Sequence, residues 1–566
     1  MIRPMRNRLA SLAIAGFLAS SALVPSVAAA APQGHWSQEA LNLAAQRGLL
    51  EGAADSIDPD ETVTRGMFVT LLGRLDGGEL PSEAPTFSDV PAGAGSAPYV
   101  VWAQQISIVQ GVSAQAFAPE QAVTRRQAAL LLDRYFTARG IQLESQPVTP
   151  FADRASLDAQ ILPAVERMQQ AGILTGRPDG RFDPDAPITY GEAAALLDRA
   201  WQAVTAHTSQ VLTIPSFDGY PLEGKLRMPC RDQVDKLVIY VNGSGPNTYD
   251  NHRALGSLEF NYFDLFARQC AREGAAFFSY STRGVSPGSQ PPLYDQIDEE
   301  AYQSYLPQNS VQDVEQIILA LRQDPRLQHA AVYLLGWSEG AMIAPKVALR
   351  GNAPVDALLL AGYPNGTMVE TLDWQQTGGS SMVTYCLYFD TDGDGAVSPQ
   401  EYEADPYGVR EALGLGDTPF SGLDLDQNGR LEAADFAILL APSRQQLYDA
   451  IERGDDAWLA ANYSVRLTSA WFRAHRDFPP NRDMMTQLDL PIVIFQGEAD
   501  ANVPVQGCLE LQQAFQQAGK TNLTVHTYPQ TDHDLNYSTY LLTGSLPQGL
   551  ADLFHTVRTL PVPAER

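Results

Sequence analysis

Beyond residue 211 the chain alternates between short apolar runs and longer segments in which apolar side chains recur at helical spacing. The runs lie at 236–241, 275–280, 330–335, 355–361, 491–495 and 523–528. Such runs predict strands covered on both faces, because a strand with no solvent-facing side needs no polar positions. We therefore predict that 211–566 is an α/β domain, with a mostly parallel sheet and helices on both faces.

The first 200 residues have a different pattern, which repeats three times. Thr64, Thr124 and Thr189 each precede an apolar, helix-like run, and a threonine hydroxyl can accept a hydrogen bond from the first turn of a helix. A second helix-like run, ending near a glycine, lies upstream in each unit. The three predicted units cover residues 33–80, 86–140 and 150–205.

These repeats resemble the S-layer homology domain. The resemblance rests on Phe87-Ser88-Asp89-Val90 and Phe151-Ala152-Asp153 at unit starts, and on the Thr-Arg pairs that contain Arg65 and Arg125. It implies an all-α module that binds secondary cell-wall polysaccharide, with Arg65 and Arg125 taking part. The third unit departs from the pattern, with Tyr190 where the arginine would stand, and the first unit lacks the Phe-x-Asp opening.

The N-terminus has the signature of an export signal. Three arginines precede a mostly apolar stretch at 9–24, and small residues at 27–31 offer cleavage sites. We therefore predict a signal peptide at 1–31 and a secreted protein. No later run is long enough for a membrane-spanning helix.

Composition narrows the class of protein further. A chain of 566 residues should hold several domains, and 45% hydrophobic with 18% charged residues is ordinary globular composition. The formal charge of −28 argues against a nucleic-acid partner. Four cysteines would allow two disulfides in an exported protein, but they could equally be free thiols: Cys230, Cys270, Cys386 and Cys508.

The strongest chemical signal is Gly336-Trp337-Ser338-Glu339-Gly340, which lies between a predicted strand and a predicted helix. Strand, G-x-S-x-G and helix is the order of a nucleophile elbow, in which a strained turn exposes the serine hydroxyl. The glycines relieve crowding at this turn. Ser338 is therefore the predicted nucleophile.

The region 211–566 resembles the α/β-hydrolase family, which implies an acid and then a histidine after the serine. The loop Gln496-Gly497-Glu498-Ala499-Asp500 follows a predicted strand, and Asp500 is the predicted acid, with Glu498 as the alternative. Among the histidines beyond Asp500, His533 is in a loop and is the predicted base. His526 lies inside a predicted strand and His555 in a predicted helix.

An oxyanion hole needs backbone donors beside the nucleophile. One predicted donor is the N–H of Glu339. The second should come from the loop Asn242-Gly243-Ser244-Gly245-Pro246, which resembles the G-S-G-P loops of bacterial esterases in this fold. Ser244 is the first choice there and Gly245 the second.

Two acidic loops lie in a predicted insertion at 366–487. Residues 390–401 and 424–435 place oxygen-bearing groups at loop positions 1, 3, 5, 7, 9 and 12, with glycine at position 6. The two loops resemble a paired EF-hand module, so we expect structural calcium and no organic cofactor. The predicted ligands are Asp390, Asp392, Asp394, Ala396, Ser398 and Glu401, and Asp424, Asp426, Asn428, Arg430, Glu432 and Asp435. Val397 and Leu431 are expected to pair the loops, whereas 382–389 looks more like a strand than a helix.

These features together predict an exported, cell-wall-anchored serine hydrolase of carboxylic esters, with the insertion as a lid. A peptidase of the same fold is one alternative, because a Ser–His–Asp arrangement does not separate esters from amides. A non-catalytic adhesion or scaffold protein of the cell envelope is another. The complete set of Ser338, Asp500 and His533 argues against it.

Overall fold

The structure is a computed structural model that describes residues 35–563. The predicted signal peptide at 1–31 lies outside the described residues. No helix within 35–563 has both the length and the apolar character needed to cross a membrane.

Six helices build the N-terminal module, residues 35–205. They are α1 (Gln38–Gln46), α2 (Arg65–Asp76), α3 (Ala97–Gln105), α4 (Arg125–Ala138), α5 (Leu162–Gln170) and α6 (Tyr190–Val204). The three units close on each other around a ring of backbone hydrogen bonds. Val63 N–H donates to Ile188 O (3.0 Å), Ile188 N–H to Val123 O (3.0 Å), and Val123 N–H to Val63 O (2.9 Å). One shared apolar core fills the module.

The expectation of an all-α module is corrected in one respect. The ring includes three antiparallel β-bridges, Thr62 with Thr189, Thr64 with Ala122, and Thr124 with Pro187. Each bridge joins one N-cap threonine to the residue two positions before another, because the N-cap threonines have an extended backbone that can pair as a strand does.

The sheet domain begins at His207, four residues before the predicted start. Its strands are β1 (His207–Pro215), β2 (Pro221–Pro229), β3 (Lys236–Val241), β4 (His252–Leu255), β5 (Leu258–Asn261), β6 (Ala276–Tyr280), β7 (Val285–Pro287), β8 (Asp295–Ile297), β9 (Ala331–Trp337), β10 (Ala357–Ala361), β11 (Ile492–Gly497) and β12 (Leu523–Tyr528). Eight form one sheet in the order β1-β2-β6-β3-β9-β10-β11-β12. The pairs β1–β2 and β2–β6 are antiparallel and the others parallel. The mostly parallel sheet is thereby confirmed.

Helices cover both faces of this sheet. They are α7 (Tyr262–Arg272), α8 (Glu299–Tyr302), α9 (Pro307–Leu321), α10 (Gly340–Arg350), α17 (Gln506–Gln517), α18 (Tyr537–Thr543) and α19 (Gln548–Thr559). Strand β3 shows why its sequence is continuously apolar. Leu237 and Ile239 join the core beneath α9 and α10, whereas Val238 and Tyr240 join the core beneath α7 and α19.

The insertion between β10 and β11 carries α11 (Met368–Gln376), α12 (Gly379–Phe389), α13 (Pro399–Ala404), α14 (Ala433–Arg453), α15 (Asp456–Asn462) and α16 (Ser469–Arg476). The strand-like expectation for 382–389 is wrong, because these residues lie in α12. The first part of the insertion has a separate hydrophobic core that includes Phe389 and Phe436. The second half of α14 packs on the sheet-domain core through Leu447 and Ile451.

The N-terminal module packs directly on the sheet domain. Asp76, 1% exposed, accepts hydrogen bonds from Arg139 of its own module (2.7 Å) and from Arg558 of α19 (3.0 Å). Ile141 forms a β-bridge with Arg231 across the same boundary. All four cysteines are free thiols.

Candidate active site

Ser338 occupies the sharp turn between β9 and α10. Its φ is +56°, a left-handed conformation that is unfavourable for a residue with a Cβ. The turn leaves no space for larger neighbours, since a Cβ at Gly340 would overlap the carbonyl oxygen of Val241. The Ser338 N–H donates to Ala361 O at the end of β10 (2.9 Å), which fixes the turn to the sheet. This is the geometry of a nucleophile elbow.

The structure brings His533 and Asp500 together. His533 Nδ1 lies 2.8 Å from Asp500 Oδ2, and the carboxylate is 2% exposed. Asp500 also accepts hydrogen bonds from the N–H groups of Asn502 (2.8 Å) and Val503 (2.9 Å), and from Gln496 Nε2 (2.9 Å). These donors hold the carboxylate in one orientation.

Two contacts place this pair beside the elbow. Trp337 Nε1, one residue before Ser338, donates to His533 O (3.0 Å). The His533 ring lies against Gly362, where an added Cβ would overlap the ring, and Gly362 follows the residue that accepts the Ser338 N–H. Since Asp500 occupies Nδ1, only Nε2 of His533 is left for Ser338.

The sequence alternatives lie elsewhere. Glu498 is exposed, and its side chain has no hydrogen bond within residues 35–563. His526 lies inside β12 and stacks on Phe495. His555 lies on α19, 3.8 Å from Glu79.

The electrostatics around His533 favour its charged form. Burial alone would lower its pKa, but the Asp500 carboxylate, with those of Asp534 and Asp532, outweighs burial and raises the pKa to about 9. Burial and the neighbouring Asp534 carboxylate raise the pKa of Asp532 to about 6. Three carboxylates therefore set the proton affinity of one imidazole.

The loop after β3 lies directly beside the elbow. A Cβ on Gly243 would stand 3.2 Å from Ser338 Cβ. Asn247 Nδ2 braces the loop by donating to Gly243 O (3.2 Å) and Gly245 O (3.1 Å). Gly245 N–H donates to Tyr305 Oη (3.3 Å), so this donor is occupied.

The backbone N–H groups of Ser244 and Glu339 differ from that of Gly245, which already donates a hydrogen bond. Neither backbone N–H has an acceptor among the described residues. The geometry thus favours Ser244 over Gly245 as the second oxyanion donor.

No sequence pattern indicates the part that the Glu339 side chain plays. This carboxylate is 1% exposed and accepts hydrogen bonds from Tyr305, Trp471 and His475. Those partners lie 34, 132 and 136 residues away along the chain, so no local pattern points to them.

The two acidic loops are paired as expected. Val397 N–H donates to Leu431 O (3.1 Å) and Leu431 N–H to Val397 O (2.9 Å). Carboxylate oxygens lie within 4.8 Å of one another in each loop, from Asp390, Asp392 and Asp394 in the first and from Asp424, Asp426 and Asp435 in the second.

The last position of each loop has equivalent contacts. Glu401 Oε1 accepts the N–H groups of Thr391 (2.8 Å) and Asp392 (3.4 Å). Asp435 Oδ1 accepts those of Leu425 (2.6 Å) and Asp426 (3.1 Å). The shorter aspartate therefore occupies the same place as the glutamate. The remaining predicted ligands have other contacts. The Ser398 hydroxyl caps α13, and the Arg430 side chain pairs with Asp394 and Glu432. Ala396 occupies position 7 of the first loop and Asn428 position 5 of the second.

Arg65 and Arg125 are buried between successive units of the N-terminal module. Arg65 Nε donates to Phe117 O (3.0 Å), and Arg125 Nε to Phe182 O (2.6 Å). Each guanidinium also lies over the ring of that phenylalanine. Both arginines thus hold the next unit's turn in place.

Comparison with known families agrees with this architecture. A model described as "Alpha/beta hydrolase family" matches residues 238–541, and one described as "S-layer homology domain" matches 32–66, 86–129 and 150–194. The chain belongs to the alpha/beta hydrolase family. It also carries three S-layer homology domains, which indicate a protein attached to the cell surface.

Individual relatives share only parts of the chain. An amylopullulanase of Thermoanaerobacterium thermosulfurigenes is 28% identical over 29% of this chain and 9% of its own length. A surface-layer 125 kDa protein of Lysinibacillus sphaericus is 28% identical over 33% of this chain and 16% of its own length. The chain thus spans less than a fifth of either relative. Among solved structures, a Pyrobaculum calidifontis esterase has a TM-score of 0.34 at 15% identity, covering 63% of this chain and 87% of the esterase.

Proposed function

We propose that this protein is a cell-surface serine hydrolase that cleaves carboxylic esters through an acyl-enzyme. The observation that carries the proposal is the Asp500–His533 pair, which the Trp337 and Gly362 contacts hold against the strained Ser338 turn. A serine hydroxyl becomes a nucleophile when a positioned base can take its proton.

The proposed reaction uses the groups of this site that have no other hydrogen-bond role. Ser338 Oγ attacks the ester carbonyl while His533 Nε2 accepts the hydroxyl proton, and the N–H groups of Ser244 and Glu339 stabilise the oxyanion. His533 then protonates the departing alcohol, which leaves Ser338 acylated. Water then attacks this ester while His533 Nε2 takes its proton, and His533 returns that proton to Ser338 Oγ as the bond to the acyl group breaks and the carboxylic acid leaves.

The direct test is hydrolysis of p-nitrophenyl acetate by the full chain. Ser338→Ala and His533→Ala should each lower kcat by on the order of 10⁴-fold or more, and the double variant should lose little further activity. More than a tenth of wild-type activity in His533→Ala would overturn the assignment of the base. Faster turnover of matched p-nitroanilides than of esters would favour the peptidase alternative. No turnover, and no labelling of Ser338 by a phosphonate, would favour a non-catalytic envelope protein.

We also propose that the N-terminal module attaches the chain to secondary cell-wall polysaccharide. Asp89 and Asp153 support this interpretation, because each lies in the opening of its own unit and holds the turn on which Arg65 or Arg125 packs. Asp89 accepts from the N–H of Phe117 (2.8 Å), and Asp153 from that of Phe182 (2.7 Å). The full chain should bind cell-wall sacculi and lose binding when the polysaccharide is removed. Equal binding to intact and stripped sacculi would contradict this proposal.

Calcium is the third part of the proposal. Hard cations prefer carboxylate and carbonyl oxygens, and each loop gathers three carboxylates within 4.8 Å. The backbone conformation also fits, since Gly395 and Gly429 at loop position 6 have φ values of +83° and +81°. Asp390, Asp392, Asp394 and Glu401 would hold one ion. Its charge would offset the repulsion among these side chains.

A further inference from the structure

The Glu339 carboxylate joins two other segments of the chain to the nucleophile elbow. Tyr305 Oη, from the connection between α8 and α9, donates to Glu339 Oε2. Trp471 Nε1 (3.1 Å) and His475 Nε2 (2.9 Å), both on α16 of the insertion, donate to Oε1. Since a buried charge is costly without donors, this carboxylate fixes all three side chains.

The first of these links continues into the loop after β3 at residues 242–247, which we call the oxyanion loop. The Tyr305 hydroxyl that donates to Glu339 also accepts the N–H of Gly245 (3.3 Å). Burial and the Glu339 carboxylate raise the pKa of Tyr305 well above its ordinary value, so the hydroxyl keeps its proton. A hydrogen-bonded chain therefore runs from Gly245 through Tyr305 to the residue after Ser338, and each bond polarises the next.

The insertion also contacts the same loop. A Cβ on Gly245 would stand 2.7 Å from Val465 Cγ1, and Val465 lies between α15 and α16. The α16 residues Trp471 and His475 are themselves 1% exposed. The oxyanion loop is therefore held between Tyr305 and the insertion, with Glu339 bonded to both.

We propose that Glu339 and Tyr305 are positioning residues that orient the Ser244–Gly245 backbone toward the oxyanion and couple the insertion to the nucleophile elbow. Neither side chain is required to touch the substrate. The kinetic part of this inference rests on the proposed function. Its structural part, the restraint of Gly245, does not.

Tyr305→Phe is the sharpest test, because it removes one hydroxyl from a buried ring. Tyr302→Phe is a matched control: Tyr302 is also buried, packs 5.5 Å from Tyr305, and donates to Arg466 O of the insertion (2.7 Å). Both variants lose a hydroxyl that bridges to another segment, but only Tyr305 links Gly245 to Glu339. Both should therefore lose similar thermal stability.

The two variants should separate in function. With p-nitrophenyl acetate, Tyr305→Phe should lower kcat by about tenfold or more with KM changed less than about twofold, because oxyanion contacts act mainly in the transition state. Tyr302→Phe should keep kcat within about twofold. Equal kcat values in the two variants would overturn the inference. Glu339→Gln, which places an amide against three donors, should follow Tyr305→Phe.

Amide hydrogen exchange tests the restraint without turnover. Exchange across 243–247 should be at least tenfold faster in Tyr305→Phe than in wild type, and unchanged in Tyr302→Phe. Equal protection in both variants would overturn the positioning role even in an inactive protein. An inactive wild type with the predicted exchange pattern would refute the ester hydrolase but support the positioning of the loop.

Discussion

The active site and the calcium-type loops both gather carboxylates, but they satisfy them differently. Asp500 is 2% exposed and has protein donors on both oxygens, including the His533 ring. Asp392 and Asp394 are exposed, and with Asp390 they hold carboxylate oxygens within 4.8 Å of each other. One site is complete with the protein's own groups. The other brings like charges together and would be stabilised by a cation.

The two regions therefore fix the positions of their carboxylates in different ways. Around Asp500 the donors come from the same loop, from β11 and from the loop that carries His533, so folding alone sets the position of the carboxylate. In the acidic loops, backbone N–H groups donate hydrogen bonds that satisfy the carboxylates only in part. Gly395 N–H donates to Asp390 (2.9 Å), and Gly429 N–H donates to Asp424 (3.0 Å). We therefore expect the first region to respond to mutation and pH, and the second to chelation.

The largest effect should come from removing the charge of Asp500. Asp500→Asn should lower kcat by about 10³–10⁴-fold, because the wrong imidazole tautomer and an unstabilised imidazolium both raise the barrier. Glu498→Gln, two residues away and exposed, is the matched control and should stay within about twofold. Steady-state rates with p-nitrophenyl acetate decide between them. A larger loss in Glu498→Gln would transfer the role of the acid to that residue.

A smaller effect is expected from pH. The neutral form of His533 is the base, and its pKa is raised to about 9, so kcat/KM should rise about tenfold per pH unit below 9 and level off above it. Asp534→Asn removes one of the charges that raise this pKa and should move the profile to lower pH. Asp60→Asn, in the N-terminal module, changes the net charge equally and should leave the profile in place. A profile that levels off near pH 6 would contradict the electrostatic argument.

The same pKa shift has a consequence for stability. A histidine whose pKa is raised on folding stabilises the protein fully below its ordinary value near 6.5, and this contribution is lost as the pH rises through about 9. The pH range of highest activity should therefore be the range in which this contribution is weakest. Thermal unfolding followed across pH 6–10 in wild type and His533→Ala would show it.

The sequence was informative where chemistry and burial are local. Strand β3 is bounded as predicted, since its continuous apolar run is buried on both faces inside the sheet, and the glycines around Ser338 define the elbow. It misled at α12, where aromatic and β-branched residues suggested a strand but packing against Phe436 stabilises a helix. It missed β1, whose mostly exposed residues give no apolar run. It could not reveal the Glu339 contacts, because tertiary structure alone brings those partners together.

The smallest effect, and the one that bears most directly on the comparison, should come from chelation. The insertion contacts the loop that carries Asp500 directly, since Gln375 Nε2 on α11 donates to Asn502 O (2.7 Å), and α12, which follows α11, leads into the first acidic loop. Removing calcium should lower Tm by roughly 5 °C, since an ion that binds only the folded loops stabilises them by mass action. Chelation should also slow long-chain acyl esters a few-fold more than acetate esters, if the insertion shields the acyl group.

Asp392→Ala should reproduce the effect of chelation in the presence of calcium. Asp417→Ala is the matched control, because Asp417 is exposed in the same part of the insertion but belongs to neither cluster. Calorimetry with and without EDTA, run beside the two ester substrates, measures both effects. Unchanged Tm and substrate ratio on chelation would mean that the loops gain nothing from a cation, and that backbone N–H groups alone suffice there, as the protein's own donors do around Asp500.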